Sequence, residues 1–295
     1  MRLPSHSFKS KATKLWLPKS YDDLDAITSP NMLYDLGCFG KRVVRTADGV
    51  VIKYGGDELA EEVLCTRFAH EKLSLPVPCI LHYPDSARSR VPWTMPLPDA
   101  ATDPTGVWYI CMEEVPDASL DKVIETLSEQ QLDHIAGQLK SIVARIGSVK
   151  SKTLGSITGD PYRTLLVYPP YQPKQVFTTV AEFRDHFHRL LLMCPGGERE
   201  ANELLNRIPR NAAIRFTHVD LVPKNIMVDG STITGIIDWA NAGFYPEFWE
   251  YCRMHSPDLM TQRWSRVLET VFPGERRQEE IDAVEKMLFG ISWFL

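Results

Sequence analysis

The sequence predicts an α+β protein built from two lobes, the first rich in strands and the second mainly helical. Three observations support this fold class. Up to about residue 115, apolar residues fall in short β-branched runs separated by turn residues. Beyond that point, they recur every three or four positions, as in amphipathic helices. The chain has 295 residues, which suits one large domain or two lobes packed together.

Bulk composition narrows the classes of protein to which this chain can belong. Hydrophobic residues make up 44% and charged residues 24% of the chain, as in folded soluble proteins. No run of 18 apolar residues exists, so we expect no membrane-spanning helix. The formal net charge of −5 disfavours nucleic-acid binding through a broad basic face. Six scattered cysteines without a C-x-x-C pair indicate reduced thiols and a cytoplasmic location.

The N-terminal segment is basic. Five Lys and Arg residues and no acidic residue lie within residues 1–21. Targeting segments have a similar composition, but Pro4 and Pro18 interrupt any long amphipathic helix. We therefore expect residues 1–30 to form a flexible basic arm, with a targeting segment as the alternative.

The first lobe is predicted to begin with a β-hairpin. Residues 42–46 and 50–54 are rich in β-branched residues, and Asp48-Gly49 between them is a strong hairpin signal. Residues 58–73 contain neither Gly nor Pro and predict a helix. An extended link, a loop and a buried strand complete this lobe, at residues 75–81, 84–106 and 107–112.

Capping signals place two helices in the second lobe. Ser128 and Gln131 form a capping box before a helical apolar repeat. Thr179 and Glu182 form another box before a second helix. Between these helices, residues 150–178 are rich in Pro, Gly and Tyr and predict a long surface insertion.

A second hairpin and a helical C-terminal region are predicted to follow. Asp229-Gly230 marks the turn of this hairpin, and the chain after Trp239 is expected to be helical to its end. We place the boundary between the lobes at residues 115–117, which gives lobes of residues 31–115 and 116–295. This is the layout of a bilobal protein-kinase-like fold, in which a nucleotide binds in the cleft.

Four polar residues flank the second hairpin. His218, Asp220 and Asn225 form an H-x-D-x4-N pattern, and Asp238 follows 13 positions later (238 − 225). Carboxylates and a carboxamide brought together can hold a divalent cation and accept a proton from an alcohol, the two tasks of phosphoryl transfer. Asp220 is the candidate catalytic base. The alternative is a loop aspartate that caps Asn225 or its neighbours.

Asn225 and Asp238 are the candidate Mg²⁺ ligands, because Mg²⁺ prefers oxygen atoms and takes few protein carboxylates. The alternative is that Asn225 only begins a strand and Asp238 only caps the following helix. His218 belongs to the same candidate catalytic group, and we interpret it as a residue that stabilises the loop rather than as a base.

Lys53 is the candidate cation for the nucleotide phosphates. It lies on the second strand of the first hairpin, and Glu62 on the following helix offers a charge partner. A lysine held by a glutamate is the device that orients the phosphates in this chemistry. Glu61 is the adjacent alternative, and residue spacing separates the two only weakly. A lone strand lysine is otherwise usually solvent-exposed.

Aromatic residues crowd the segment after Asp238. Together with Glu247 and Glu250, they could hold a cationic amine, but packing in a helical core is the commoner role of such residues. His186 and His188 lack a second ligand pair at metal-binding spacing, so we interpret both as surface residues.

Several of these motifs, in this order, resemble those of the aminoglycoside phosphotransferase and choline kinase family, in particular its fungal branch. The resembling segments are residues 50–55, 62–68, 75–78, 109–116, 216–220 and 236–251. The resemblance runs from about residue 43 to the C-terminus and implies ATP and Mg²⁺ as cofactors. It favours Glu62 over Glu61 as the partner of Lys53. It also implies that Met112 lies behind the adenine, with the backbone of Glu113 and Val115 bonded to it.

The chain departs from that family at Val219, Asp117 and Ala240, the last standing where the family often has Glu, and no G-x-G-x-x-G loop precedes Lys53. Val219 stands where the family usually has Gly, and Asp117 stands where the hinge usually continues with Gly. We predict an ATP- and Mg²⁺-dependent phosphotransferase that acts on the hydroxyl of a small molecule. The departures motivate the alternative of a non-catalytic nucleotide-binding protein. A protein kinase is less favoured, because no D-F-G or A-P-E segment follows Asp238.

Overall fold

The structure is a computed structural model that describes residues 32–35, 42–46, 48–54, 59–83, 109–163, 165–167 and 169–295. The predicted basic arm at residues 1–30 and the predicted loop at residues 84–106 lie outside these ranges, as do the first two residues of the strand predicted at 107–112.

An antiparallel five-stranded sheet forms the first lobe. Its strands are β1 (Met32–Asp35), β2 (Arg42–Arg45), β3 (Val50–Tyr54), β4 (Ile80–His82) and β5 (Tyr109–Glu113), in the order β1-β2-β3-β5-β4. The Asp48-Gly49 hairpin is confirmed, with Val43 opposite Lys53 and Gly49 at a φ of 73°. That left-handed conformation suits glycine, which carries no Cβ.

The helix predicted in the first lobe is confirmed as α1 (Leu59–Glu71). Its position matters because it packs against both lobes. Cys65 and Ala69 belong to the same buried cluster as Leu139 and Trp239 of the second lobe. The two lobes therefore share part of one hydrophobic core, and α1 lies between them.

Helices dominate the second lobe. They are α2 (Leu120–Val123), α3 (Glu129–Gly147), α4 (Val180–Leu191), α5 (Gly197–Asn206), α6 (Phe248–Met254), α7 (Gln262–Val271) and α8 (Gln278–Phe294). Both predicted capping boxes are confirmed, with Ser128 and Gln131 at the start of α3 and Thr179 and Glu182 at the start of α4. None of the described helices is both long and apolar enough to cross a membrane.

Short strands carry the polar motif of the second lobe. They are β6 (Ala118–Ser119), β7 (Ile214–Thr217), β8 (Ile226–Asp229), β9 (Thr232–Ile236) and β10 (Gly243–Pro246). The Asp229-Gly230 hairpin between β8 and β9 is confirmed. The prediction of helix directly after Trp239 is wrong, because β10 pairs with β7 before α6 begins. Gly and Pro at the ends of this short strand obscured its β character in the sequence.

The prediction of a surface insertion at residues 150–178 is also wrong. Leu154, Leu165 and Phe177 are buried in the core of the second lobe. Backbone hydrogen bonds join Leu154 to Phe177 in both directions, which closes the segment against itself. Its Pro and Gly residues shape an irregular but packed path.

His186 corrects another prediction, since it is 7% exposed rather than a surface residue. Its ring packs against Phe177 and Phe187. Burial lowers the pKa of His186 to about 4, so the ring is neutral near pH 7. His188 is partly exposed.

Candidate active site

The loop between β7 and β8 carries the candidate base. A one-turn 3-10 helix (Pro223–Asn225) closes this loop and turns the chain into β8. The side-chain Nδ2 of Asn225 donates to the backbone oxygen of Asp220 at 2.8 Å and to its Oδ2 at 2.9 Å. Lys224 Nζ lies 3.1 Å from the same Oδ2. Asp220 and Asn225, paired by the sequence pattern, are therefore in contact.

His218 is fully buried at the start of this loop, and both ring nitrogens are used inside the protein. Its Nε2 lies 3.1 Å from the carbonyl oxygen of Ile237, and its Nδ1 accepts the backbone N–H of Asp220 at 3.3 Å. Because a carbonyl only accepts, Nε2 carries the proton. Burial lowers the pKa of His218 although the nearby Asp220 and Asp238 oppose the shift. The neutral ring thus stabilises the loop.

Lys53 joins the two lobes at the candidate site. Its Nζ lies 2.7 Å from Glu62 Oε2 and 2.8 Å from Asp238 Oδ1. The geometry selects Glu62 over Glu61 as the partner of Lys53. Burial alone opposes a charged lysine, but the two carboxylates outweigh it and raise the pKa of Lys53.

Asp238 responds to the same ion pair. Burial alone would raise its pKa, but the adjacent Lys53 ammonium outweighs that effect and lowers it. Asp238 has a φ of 65°, a left-handed conformation that aspartate tolerates better than most residues. Its side chain remains 38% exposed, so part of it is accessible to solvent.

The donor atoms of Asn225 and Asp238 fit a hard cation. The backbone N–H of Ile237 donates to the backbone oxygen of Asn225 at 3.0 Å, which brings the two arms of the hairpin together. The amide nitrogen of Asn225 contacts Asp220, so its amide oxygen is not used in that contact. Within the described ranges, no three His, Cys, Asp or Glu side chains group to hold a metal. Mg²⁺ here would need oxygen ligands from phosphate or water, as it usually does.

The predicted hinge residues lie at the end of β5 and just beyond it. Met112 pairs with Val51 of β3 on one side and Ile80 of β4 on the other. The backbone N–H of Glu113 donates to the oxygen of Cys79 at 2.9 Å, which leaves its carbonyl for other bonding. Val115 is partly exposed and lies close to Gly235. A Cβ added at Gly235 would lie only 3.1 Å from the side chain of Val115.

Glu250 is a residue whose role the sequence reasoning missed. It is 8% exposed, and its Oε2 and Oε1 accept the backbone N–H groups of His218 at 2.6 Å and Val219 at 3.0 Å. Burial raises its pKa from 4.5 to about 7, against the opposing effect of those two N–H groups. This burial agrees with the commoner role, packing in a helical core, rather than with the alternative of a ligand for a cationic amine. One feature of the sequence could have indicated this role: Glu250 lies between two large aromatic residues, Trp249 and Tyr251, and both are buried.

Glu247 is exposed, and its Oε2 lies 3.8 Å from Nε of Arg215. The aromatic residues near Glu247 have the commoner role named above, packing in the core. Trp239, Tyr245, Phe248 and Trp249 are each at most 1% exposed and pack in the core.

Val219 has a strained backbone. Its φ is 76°, in the left-handed region that disfavours β-branched residues, and its side chain is fully buried. This is the position where the related family usually has Gly. The Val219 side chain belongs to the hydrophobic core of the second lobe.

The two-lobed α+β fold is that of a kinase-like phosphotransferase. In the candidate site, Lys53 is held by Glu62 and Asp238, an arrangement that we call the lysine clamp. The APH model, described as the phosphotransferase enzyme family, matches residues 40–282, so the chain belongs to that family.

Solved structures of aminoglycoside phosphotransferases share this fold. ADP-bound APH(2'')-Ib has a TM-score of 0.59 at 12% identity, covering 92% of this chain and 90% of that one. The streptomycin–ATP–APH(2'')-IIa ternary complex has a TM-score of 0.58 at 11% identity, with coverages of 89% and 84%. These likenesses confirm the predicted bilobal protein-kinase-like fold. No curated protein sequence matches the chain.

Proposed function

We propose that this protein transfers the γ-phosphoryl group of ATP, in the presence of Mg²⁺, to a hydroxyl group of a small molecule. One observation carries the proposal most directly. Lys53 Nζ lies 2.7 Å from Glu62 of its own lobe and 2.8 Å from Asp238 of the second lobe. Family membership and the nucleotide complexes among similar structures support the same reaction class.

The first lobe would hold the nucleotide. Lys53 is charged and fixed by Glu62, so it can bind the α- and β-phosphate oxygens. The adenine would lie at the end of β5, with Met112 behind it and the backbone of Glu113 and Val115 bonded to its edge. Among the described residues of this lobe, ATP would thus contact the Lys53 side chain and a set of backbone groups.

Asn225 and Asp238 would hold Mg²⁺ through an amide oxygen and a carboxylate. When bound, the metal neutralises charge on the β- and γ-phosphate oxygens. The ion pair with Lys53 keeps Asp238 ionised, since it lowers the pKa of that carboxyl. The ionised carboxylate of Asp238 would therefore pair with Lys53 and bind Mg²⁺ at the same time.

Asp220 would accept the proton of the acceptor hydroxyl. Asn225 and Lys224 both bond to its Oδ2, so the carboxylate is held in one orientation. The hydroxyl oxygen forms a bond to the γ-phosphorus while the bond from that phosphorus to the bridging oxygen breaks, and ADP leaves. His218 and Glu250 hold the loop through hydrogen bonds to its backbone N–H groups and would not contact the reacting atoms.

The left-handed Val219 favours one alternative, a protein that binds nucleotide without turnover, because strain there could displace Asp220. Small-molecule acceptors and a cytoplasmic location belong to the proposal. So does the absence of nucleic-acid partners, which the formal charge of −5 supports.

The test measures ADP release from wild-type protein with ATP, Mg²⁺ and a panel of hydroxyl compounds that includes aminoglycosides. Asp220→Asn is compared with Asp258→Asn, a control at an exposed aspartate outside the candidate site. Calorimetry of Mg-ATP binding runs in parallel. Tight binding without turnover on any compound favours the non-catalytic alternative, and absence of binding refutes both.

A further inference from the structure

Glu61 is a buried carboxylate that the proposed reaction does not use. It neighbours Glu62 on α1 and is 2% exposed. Its Oε1 accepts the backbone N–H of Ile157 at 3.1 Å. Ile157 belongs to the segment at residues 150–178, so this bond joins the helix of the first lobe to an irregular segment of the second.

The partner of Glu61 is a tight turn at residues 155–160, which we call the 155–160 turn. The backbone N–H of Ser156 donates to the oxygen of Asp160 at 2.8 Å, and Thr158 Oγ1 donates to Asp160 Oδ2 at 2.6 Å. A Cβ added at Gly155 would lie 2.4 Å from the Asp160 oxygen, so the turn closes only with glycine there. These bonds make the turn a stiff partner.

The 155–160 turn is also tied to the strands that carry the candidate site. Gly155 and Phe244 exchange two backbone hydrogen bonds, at 3.2 and 2.8 Å. Phe244 of β10 lies opposite Phe216 of β7, two residues before His218. A displacement of the turn would therefore reach the loop that holds Asp220.

One face of α1 makes all of these contacts with the second lobe. Glu61, Cys65 and Phe68 lie at positions i, i+4 and i+7, which share a helix face. Cys65 Sγ contacts the backbone oxygen of Ala242 at 3.5 Å, and the ring of Phe68 packs 5.1 Å from that of Phe216. Glu62 is one position further, about 100° around the helix, and faces Lys53.

We propose that Glu61 is a positioning residue that fixes the rotation of α1 at which Glu62 meets Lys53. The inference rests on the proposed function, because the position of Lys53 affects activity only if Lys53 binds the nucleotide. Through its bond to Ile157, Glu61 couples the 155–160 turn to Lys53, the phosphate-binding lysine. A change in that turn would therefore change nucleotide affinity without touching the nucleotide.

The experiment measures the Kd of Mg-ATP by calorimetry and turnover in parallel. For Glu61→Ala we expect the Kd to rise between about 2-fold and 30-fold, the range seen when residues act on a site through others. Glu61→Gln keeps an oxygen that can accept the Ile157 N–H, so its Kd should stay near that of wild type. Glu71→Ala, at an exposed position in the last turn of the same helix, is the control and should leave the Kd unchanged.

A double-variant cycle separates positioning from general destabilisation. Lys53→Met removes the clamp, so adding Glu61→Ala to it should leave the Kd of Mg-ATP unchanged. Independent, multiplying effects of the two substitutions would overturn the inference. So would a wild-type Kd in folded Glu61→Ala. If Glu61→Ala does not fold, Glu61→Asp decides, since its shorter side chain keeps the charge but withdraws from Ile157.

The outcomes also distinguish this inference from the proposed function. A wild-type protein that does not bind Mg-ATP refutes the proposed function, and the role of Glu61 falls with it. Binding and turnover by wild type, with no effect of Glu61→Ala or Glu61→Asp, refutes only the role of Glu61.

Discussion

The backbone N–H of Val219 donates to Oε1 of Glu250 at 3.0 Å, which ties the loop of the candidate base to the core helix α6. The neighbouring N–H of His218 donates to the other oxygen of the same carboxylate. Two successive amides can point at one carboxylate here while Val219 has a φ of 76°. A buried acid thus holds a strained loop in the conformation that presents Asp220.

The strain at Val219 gives an ordering of stabilities. Val219→Ala loses buried methyl groups and keeps the left-handed strain. Val219→Gly loses slightly more apolar surface but removes strain of roughly 1–3 kcal/mol. We expect Val219→Gly to have the higher free energy of unfolding of the two, by about 1 kcal/mol.

Val228 supplies the matched control in denaturant unfolding. It is a buried valine, 3% exposed, on strand β8, and unlike Val219 it does not have a positive φ. There Val228→Gly should be less stable than Val228→Ala, because glycine loses more entropy on folding and relieves no strain. The same order at both positions would contradict the argument from strain.

Glu250 should make stability depend on pH. Its pKa rises from 4.5 unfolded to about 7 folded, so the folded state holds the proton more tightly. The stability from this proton is fully present below pH 4.5 and is lost as the pH rises through 7. Relative to Glu250→Gln, wild type should lose roughly 2 kcal/mol of unfolding free energy between pH 5 and pH 8.

The measurement is chemical unfolding of both proteins across that pH range. A difference in unfolding free energy that is the same at every pH reflects the altered hydrogen bonds to the loop. Only a change of that difference with pH reports the titration of Glu250. A difference that does not change with pH would contradict the raised pKa of Glu250.

Asp220→Asn should abolish most turnover while keeping nucleotide binding. The carboxamide is similar in size but cannot accept a proton, so we expect the rate to fall about 10²- to 10⁴-fold. The Kd of Mg-ATP should stay within about threefold of wild type, a change below the tenfold that 1.4 kcal/mol produces. A loss of turnover under tenfold would remove Asp220 from the role of base.

Lys53→Met should destabilise the protein more than Glu62→Gln does. Removing the lysine leaves Glu62, whose side chain is 4% exposed, without its cation. Removing one partner of a buried ion pair costs about 3–5 kcal/mol. Glu62→Gln leaves Lys53 paired with Asp238, which is 38% exposed.

Thermal unfolding at pH 7 compares the two variants. Equal stabilities for the two variants would show that Asp238 and solvent, rather than Glu62, hold the lysine.

Local chemistry explains which predictions the sequence could support. The two Asp-Gly hairpins and the capping boxes at Ser128 and Thr179 depend on neighbours within a few residues. The pairing of β7 with β10 and the burial of residues 150–178 depend on distant partners. Hydrophobic periodicity contains no information on those partners, so both were missed.

The sequence by itself determined the chemical inventory of the candidate site. The spacing of Asp220, Asn225 and Asp238 around a hairpin, and of Lys53 on another, predicted which groups could act together. Side-chain chemistry and short-range turn geometry were sufficient for that.

Residue spacing left both adjacent glutamates open as partners of Lys53, and the family resemblance only favoured Glu62. The tertiary structure decided between them, because about 100° of helix rotation separates them and packing against the second lobe sets that rotation. It also turned Glu250 from a possible ligand into the support of the loop. Burial gave that carboxylate backbone N–H partners in place of water, and no local pattern in the chain specifies a contact across 31 residues.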